Sequence, residues 1–218
     1  MDVALMACLE QAFYVFVTLI ALINPISAAA VFASLTEGRS SKDQAQIAKR
    51  ASIIAGVTLI AFAFAGEALL YALGVKIGAF KIAGGLLLLK VGFEMVFAPT
   101  ARRTMANGAM AKTAPQSDPS VFPLAIPIIT GPGALTASVA LVNPTDTNSY
   151  RNGVIFVVVA LLVIGINYLF MLGAEKLTAR IGQTGIDAVS RIVGIVVAAI
   201  AVQLVVDGIS SLTHFALG

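Results

Sequence analysis

The stretch LINPISAAAVF, residues 22–32, lies at the centre of an uncharged segment that runs from Phe13 to Leu35. Such a segment is long enough to cross a bilayer as a helix, which takes about 20 apolar residues. A proline inside a helix removes one backbone hydrogen bond and clashes with the preceding turn. Asn24-Pro25 therefore predicts a helix that is broken in the middle of a membrane span.

The composition of the chain is that of a membrane protein. Its 218 residues are 59% hydrophobic and 11% charged, with a mean hydropathy of +0.96, whereas soluble domains carry roughly 25% charged residues. The basic residues lie in short connectors between apolar segments, so we expect no nucleic-acid partner. A single cysteine, Cys8, excludes an internal disulfide and a metal site built from several thiolates.

Six stretches have the length and hydropathy of a transmembrane helix: 12–35, 51–73, 78–97, 121–142, 153–173 and 188–212. Their apolar runs are continuous and rich in Ala, Leu and Gly, whereas the strands of a membrane barrel alternate with a period of two. The sequence therefore predicts an all-α membrane protein with six transmembrane helices.

The basic residues are divided unevenly between the two sides of these spans. Ten lie in the connectors after spans one, three and five: Arg39, Lys42, Lys49, Arg50, Arg102, Arg103, Lys112, Lys176, Arg180 and Arg191. Three lie on the opposite side: Lys76, Lys81 and Arg151. Because basic connectors stay in the cytoplasm, we expect a multi-pass membrane protein with both termini facing outward.

A rival topology makes the first and fourth segments re-entrant hairpins, with the proline breaks at their tips. The basic residues would then divide eight to five between the two sides, and the cluster after the fifth segment would be translocated. The charge distribution therefore favours full spans.

The chain also repeats itself. At a shift of 107 residues Asn24-Pro25 falls on Gly131-Pro132, and at a shift of 110 the stretch KIAGG from Lys81 falls on RIVGI from Arg191. Each copy holds three spans, an odd number, so the second copy must insert upside down. We therefore predict two inverted three-helix repeats, with spans 1 and 4 broken near the membrane midplane.

This repeat defines the domain organisation. The first repeat covers residues 1–97 and the second covers 121–218. Residues 98–120, rich in Pro, Ala, Ser and Thr, form a cytoplasmic linker between them.

The two breaks together predict a binding site. Asn is a favoured N-cap and Pro is favoured at the first helical position, so a half-helix should start at each proline. In an inverted repeat their N-terminal ends meet at mid-depth, where unpaired N–H groups and partial positive charge suit a carboxylate, and the carbonyls released before each break suit a cation or an ammonium group. The predicted substrate-binding residues are Asn24, Pro25, Ile26, Ser27, Thr130, Gly131, Pro132, Gly133, Ala134 and Thr136.

Ionisable and amide side chains within the spans are candidates for ion coupling, because charges are costly in a membrane and are commonly functional there. These candidates are Glu67, Lys90, Glu94, Gln203 and Asp207. Lys90 and Glu94 lie one helical turn apart and can neutralise one another, so a purely structural role also remains open for this pair.

Motifs typical of enzymes are absent from the sequence. There is no GxSxG, no HExxH, and no second histidine to share a metal ion with His214. We therefore expect no enzymatic activity, no metal and no cofactor.

Several stretches resemble the MarC family of bacterial inner-membrane proteins. Besides the Asn-Pro break, they are KIAGG at 81–85, GFEMVF at 92–97, PLAIPIITGPG at 123–133, DAVSRIVG at 187–194 and VQLVVDGI at 202–209. The resemblance implies six transmembrane helices and, for at least some members, ion-driven transport of small neutral amino acids such as glycine and alanine. One departure is Ala30, where many relatives have a second proline.

Together these observations predict a secondary transporter that moves a small zwitterion by alternating access, with a proton or a sodium ion as coupling partner. The substrate carboxylate would lie against the half-helix starts near Ile26-Ser27 and Gly133-Ala134. Two alternatives stay open: a passive channel with aquaporin-like paired half-helices, and a non-transporting membrane scaffold or regulator. A homo-oligomer also stays open.

Overall fold

All regular structure in the described part of the chain is helical. The computed structural model describes residues 3–97, 118–142 and 149–216. Its helices are α1 (Val3–Ile23), α2 (Pro25–Leu35), α3 (Ser41–Ala72), α4 (Ile77–Phe97), α5 (Ser120–Ile129), α6 (Pro132–Leu141), α7 (Ser149–Leu172) and α8 (Ala174–Ala216). The predicted all-α class is confirmed for these residues, whereas most of the predicted linker, residues 98–117, lies outside them.

Four helices are long and apolar enough to cross a membrane: Leu5–Leu35, which joins α1 and α2, Ser41–Ala72, Tyr150–Leu172 and Thr184–Thr213. The bent pair α5–α6 would make a fifth. The predicted third span, α4, has 21 residues but is not among these because it carries three charged side chains, Lys81, Lys90 and Glu94. Among the described residues, the structure thus supports four or five candidate spans, and the count of six remains a prediction.

Three helices begin well before the predicted spans: α1, α3 and α8. The helix predicted at 51–73 starts at Ser41, because Ser40 caps it: its Oγ accepts the Asp43 N–H at 3.2 Å and donates to Asp43 Oδ2 at 2.7 Å. The helix predicted at 188–212 starts at Ala174 and is interrupted at Gly182, where φ is 67°. Hydropathy marks only the apolar part of a helix, so it missed these polar extensions.

The first break leaves its span continuous. The Asn24 N–H donates to the Ile20 carbonyl at 3.0 Å, and the Ala28 N–H donates to the Asn24 carbonyl at 3.0 Å. The first of these bonds ends α1 and the second begins α2, so the two helices meet at Asn24, and they continue as one apolar span. Asn24-Pro25 is therefore a break within a span and not the tip of a hairpin.

The second break is a sharp bend. The axes of α5 and α6 meet at 60°. Within α5, a π-helical segment, Phe122 and Ile126 have extended backbone angles, as expected for residues that precede proline; here the prolines are Pro123 and Pro127. A bend of this size fits both a broken span and a re-entrant loop, so the full span predicted here remains a prediction.

Helix α4 packs closely along α8. Three glycines of α4, seven residues apart, face this partner: Gly78, Gly85 and Gly92. A Cβ on Gly208 would lie 2.6 Å from the Gly78 carbonyl oxygen, and one on Gly194 would lie 3.1 Å from the Gly92 carbonyl oxygen. The two helices are therefore antiparallel, and small residues let their backbones approach as is common between membrane helices.

The remaining helices surround a core that holds both breaks. Its largest fully buried side chains include Leu19, Phe32, Leu59, Leu124 and Phe156. Asn24 is only 7% exposed and Thr130 only 1% exposed. Both interruptions therefore lie inside the helix bundle and away from its surface.

Candidate functional site

The first break is closed by its own side chains. Asn24 adopts a left-handed backbone conformation, with φ of 46°, and its Oδ1 accepts the Ser27 N–H at 3.3 Å. Its Nδ2 donates to Ser27 Oγ at 2.8 Å, and that oxygen lies 3.2 Å from Oγ of Ser190 on α8. Asn24 as N-cap and Pro25 as first helical residue are confirmed. However, the start of α2 is already capped and its Ser27 N–H is occupied.

The second break has no such cap. Gly131 is the N-cap of α6 and Pro132 its first residue, as predicted, but Gly131 has no side chain to cap the N–H groups of the first turn. The Thr130 hydroxyl donates instead to the Ala125 carbonyl at 2.8 Å and closes the end of α5. The N–H groups of Gly133 and Ala134 belong to the helix turn that lacks intrahelical partners. Within the described part of the chain, these two donors have no side-chain cap.

Both breaks open into one cavity of about 340 Å³. Seven predicted residues line it: Asn24, Ser27, Glu94, Gly131, Pro132, Gly133 and Ala134. Its apolar wall was not predicted, and consists of Leu22, Ile23, Ala28, Val31, Leu88, Val91, Met95, Pro127 and Ile128. The structure therefore brings the two breaks together and adds α4 as a third side of the cavity.

Contact between α4 and α6 determines the shape of this cavity. A Cβ on Gly133 would overlap Leu88, and a Cβ on Gly84 would overlap Thr136. Because glycine has no side chain at these two positions, α4 and α6 can cross directly behind the second break. Leu88 could not be identified from the sequence, because it becomes a cavity residue only through this crossing.

Four predicted binding residues lie elsewhere. Pro25 and Ile26 face a different groove, of about 430 Å³, on the other side of α2. The buried hydroxyls of Thr130 and Thr136 are used locally, since Thr136 Oγ1 donates to the Pro132 carbonyl at 2.9 Å. These residues do not line the cavity, because the rotation of each helix about its axis is set by packing that a sequence pattern does not reveal.

Of the five ion-coupling candidates, Glu94 alone lines the cavity. Its Oε1 lies 3.6 Å from Lys90 Nζ, confirming their predicted pairing, while the Lys90 side chain is 75% exposed and lies outside the cavity. Gln203 Nε2 donates to Asp207 Oδ1 at 2.7 Å on the exposed face of α8. Glu67 lines a separate cavity, where its Oε2 is buried and has no hydrogen-bond partner among the described residues.

The cavity thus has one acidic and one electropositive side. Glu94 is the only charged residue that lines it among the described residues, and the uncapped start of α6 lies on another wall. A helix start carries roughly half a positive charge. Across the described ranges, no three His, Cys, Asp or Glu side chains come close enough to hold a metal ion.

Comparison with known families agrees with these observations. Residues 9–213 match the model of the family described as MarC family integral membrane protein. The chain belongs to the MarC family. The resemblance noted in its sequence is thereby confirmed across nearly its whole length, and the chain is an integral membrane protein with several apolar helices.

Curated relatives of this MarC family member come from archaea and bacteria. The UPF0056 membrane protein MJ1677 of Methanocaldococcus jannaschii is 36% identical over 195 residues, which cover 89% of this chain and 93% of the relative. A UPF0056 membrane protein of Archaeoglobus fulgidus is 35% identical over 210 residues, 96% of each chain. YhcE of Escherichia coli is 29% identical over 200 residues, 92% of each chain. No solved structure matches the chain.

Proposed function

We propose that this protein is a secondary transporter, and not an enzyme, that moves small neutral amino acids such as glycine or alanine across the bacterial inner membrane. The observation that carries the proposal is the single cavity into which both helix breaks open. Interrupted helices that meet inside a membrane bundle are the usual site of substrate and coupling ion in secondary transporters.

The size of the cavity supports a small substrate. Its volume of about 340 Å³ is near the lower end of the roughly 300–1,000 Å³ of small-molecule sites. Gly131, Gly133 and Ala134 bring backbone to its surface with little side-chain volume. A small substrate could therefore contact this backbone directly.

The polarity of the cavity supports a zwitterion. The substrate carboxylate would accept hydrogen bonds from the Gly133 and Ala134 N–H groups at the start of α6, where anions are favoured. The ammonium group would lie towards the Glu94 carboxylate. Asn24 and Ser27 would add polar contacts, although the capping of α2 makes the first break a weaker anion site than the second.

The packing of the helices supports the inverted repeat. α1 packs against α7 as α5 packs against α3. α2 packs against α7 and α8 as α6 packs against α3 and α4. Exchanging the two halves therefore reproduces the main contacts, as a pseudo-two-fold axis in the membrane plane requires.

The proposed topology has six spans. Helix α4 is the third of them, and the bent α5–α6 pair is the fourth. This topology places both termini in the periplasm, as the basic residues favour. Alternating access would follow from rocking of one repeat against the other around the cavity.

A proton or a sodium ion is the proposed coupling partner. Glu94 is the favoured coupling residue because it lines the substrate cavity. Glu67 is the second candidate, because its buried Oε2 has no partner among the described residues. Lys90, Gln203 and Asp207 lie outside the substrate cavity and are not needed for this mechanism.

Uptake of labelled glycine and alanine by reconstituted vesicles tests the proposal. We expect saturable, concentrative uptake that responds to an imposed proton or sodium gradient, with empty vesicles as control. Flux that neither saturates nor concentrates would support a passive channel instead. If neither amino acid moves under any gradient, the transport assignment is wrong.

A further inference from the structure

A second cavity, separate from the proposed substrate site, runs as a groove between α3 and α7. It has a volume of about 520 Å³. Its apolar walls include Ile53, Val57 and Leu161, which are 54%, 62% and 55% exposed. The groove is open because Gly165 has no side chain: a Cβ there would meet no atom within 4 Å.

One end of the groove is polar. Lys49 lies there, exposed, and makes no ion pair with any residue that the structure describes, whereas its neighbour Arg50 pairs with Asp118 at 3.2 Å. Ser52 lines the same end, is 6% exposed, and its Oγ has no hydrogen-bond partner within the described ranges. Lys49 is therefore the exposed cationic group at this end of the groove.

The length of the groove matches one leaflet of a bilayer. Lys49 and Ile60, which line its two ends on α3, are eleven residues apart, or about 16 Å along a helix. Half of the hydrocarbon core is about 15 Å thick. The groove therefore has a cationic end beside a basic connector and an apolar length that reaches about the middle of the membrane.

The geometry points to a binding site for an anionic phospholipid. One acyl chain lies along the groove over Gly165, and the phosphate contacts the Lys49 ammonium. This site depends on the membrane location of the chain and is independent of transport. Basic residues near a membrane surface attract anionic lipids, and here one of them lies at the end of an acyl-sized groove.

Native mass spectrometry of the detergent-solubilised protein tests this site. Dioleoyl phosphatidylglycerol and dioleoyl phosphatidylcholine, which share acyl chains, are added in equal amounts. We expect the anionic lipid to be retained about fivefold more, the effect of one basic residue near a surface. Equal retention of the two lipids would overturn the proposal.

Three variants separate the parts of the site. Lys49→Gln should abolish the preference for the anionic lipid, whereas Lys42→Gln, which removes another exposed lysine of α3, should leave it intact. Gly165→Leu should fill the groove and lower retention of both lipids without loss of folding, because the added side chain enters open space. Equal effects of the two lysine variants would contradict a specific headgroup contact.

The same mass spectra show how many copies of the chain associate. If Gly165→Leu converted a dimer into a monomer, the groove would be an interface between two copies and the lipid assignment would be wrong. Glycerol 3-phosphate is added as a competitor without an acyl chain. We expect it not to displace the lipid, and displacement at equal concentration would identify a soluble phosphate site instead.

Discussion

The two helix breaks occupy equivalent positions in the sequence but use their polar groups differently. At the first, Asn24 caps the start of α2 through Ser27, and the span continues across the break. At the second, Gly131 provides no side chain, the helices bend by 60°, and the start of α6 is left uncapped. We therefore propose different roles for the two breaks. The first stabilises the fold, and the second binds the substrate carboxylate.

Gly133→Ala should have the largest effect on function, because its Cβ would overlap the end of the Leu88 side chain, which lines the same cavity and would have to move. Overpacking destabilises a fold by about 1–3 kcal/mol, and because the displaced side chain also narrows the cavity, we expect glycine affinity to fall at least about fivefold, or about 1 kcal/mol. Equilibrium binding of labelled glycine measures the loss. Gly165→Ala, a glycine in open space, is the matched control.

A second substitution separates crowding from misfolding. Leu88→Ala, combined with Gly133→Ala, restores room behind the second break and should recover part of the lost affinity. If the double variant bound glycine no better than Gly133→Ala alone, overlap with Leu88 would not be the cause of the lost affinity.

Asn24→Ala should act mainly on stability. Loss of an N-cap costs about 0.5–2 kcal/mol, and alanine also strains a left-handed backbone, here with φ of 46°. Asn24→Gly keeps the backbone freedom and should cost less. Thermal unfolding followed by circular dichroism measures both, and we expect glycine affinity to fall less than in Gly133→Ala. A larger loss of affinity in Asn24→Gly than in Gly133→Ala would assign substrate binding to the first break instead.

Thr130→Val should have a smaller effect on stability. Its hydroxyl donates to the Ala125 carbonyl at 2.8 Å, and loss of such a bond costs about 1 kcal/mol. Thr130→Ser keeps the hydroxyl and should be nearly neutral. A clear fall in glycine affinity in the valine variant, without loss of stability, would show that this hydroxyl contacts the substrate.

Asp118, just before α5, should make the smallest contribution to the stability of the fold. The Ser120 hydroxyl and N–H donate to Asp118 Oδ1 at 2.7 and 3.0 Å, and Arg50 lies nearby, so the pKa of this carboxyl falls below its ordinary 3.8. A lowered pKa stabilises the fold above pH 3.8, and this stability is lost as the pH falls through the folded value. Asp118→Asn should remove that dependence in unfolding measured from pH 5 to pH 2.5, whereas Asp43→Asn should retain it.

The parts of the site that were predictable are those specified by local chemistry. Asn24-Pro25 and Gly131-Pro132 start helices because capping and the geometry of proline act within a few residues. Tertiary packing decides the rest. Pro25 and Ile26 face away from the cavity, and Leu88 enters it only because glycines let α4 and α6 cross.

Helix α4 carries charged side chains within an apolar segment. Glu94 was a candidate for ion coupling because of its depth in an apolar segment, and it lines the cavity. Its partner Lys90, one turn away, points outside. Spacing along a helix predicted their pairing, but only the position of α6 distinguishes the residue that faces the substrate site.

Competition binding with three ligands tests the central claim most directly. Glycine has both charges, glycinamide lacks the carboxylate, and N-acetylglycine lacks the ammonium group. If the substrate lies between Glu94 and the start of α6, the wild-type protein should bind glycine at least about tenfold more tightly than either analogue, which corresponds to one lost charged contact of about 1.4 kcal/mol. Glu94→Gln should reduce the preference for glycine over N-acetylglycine and leave the preference over glycinamide. Equal binding of all three ligands, or no binding of glycine, would contradict the account.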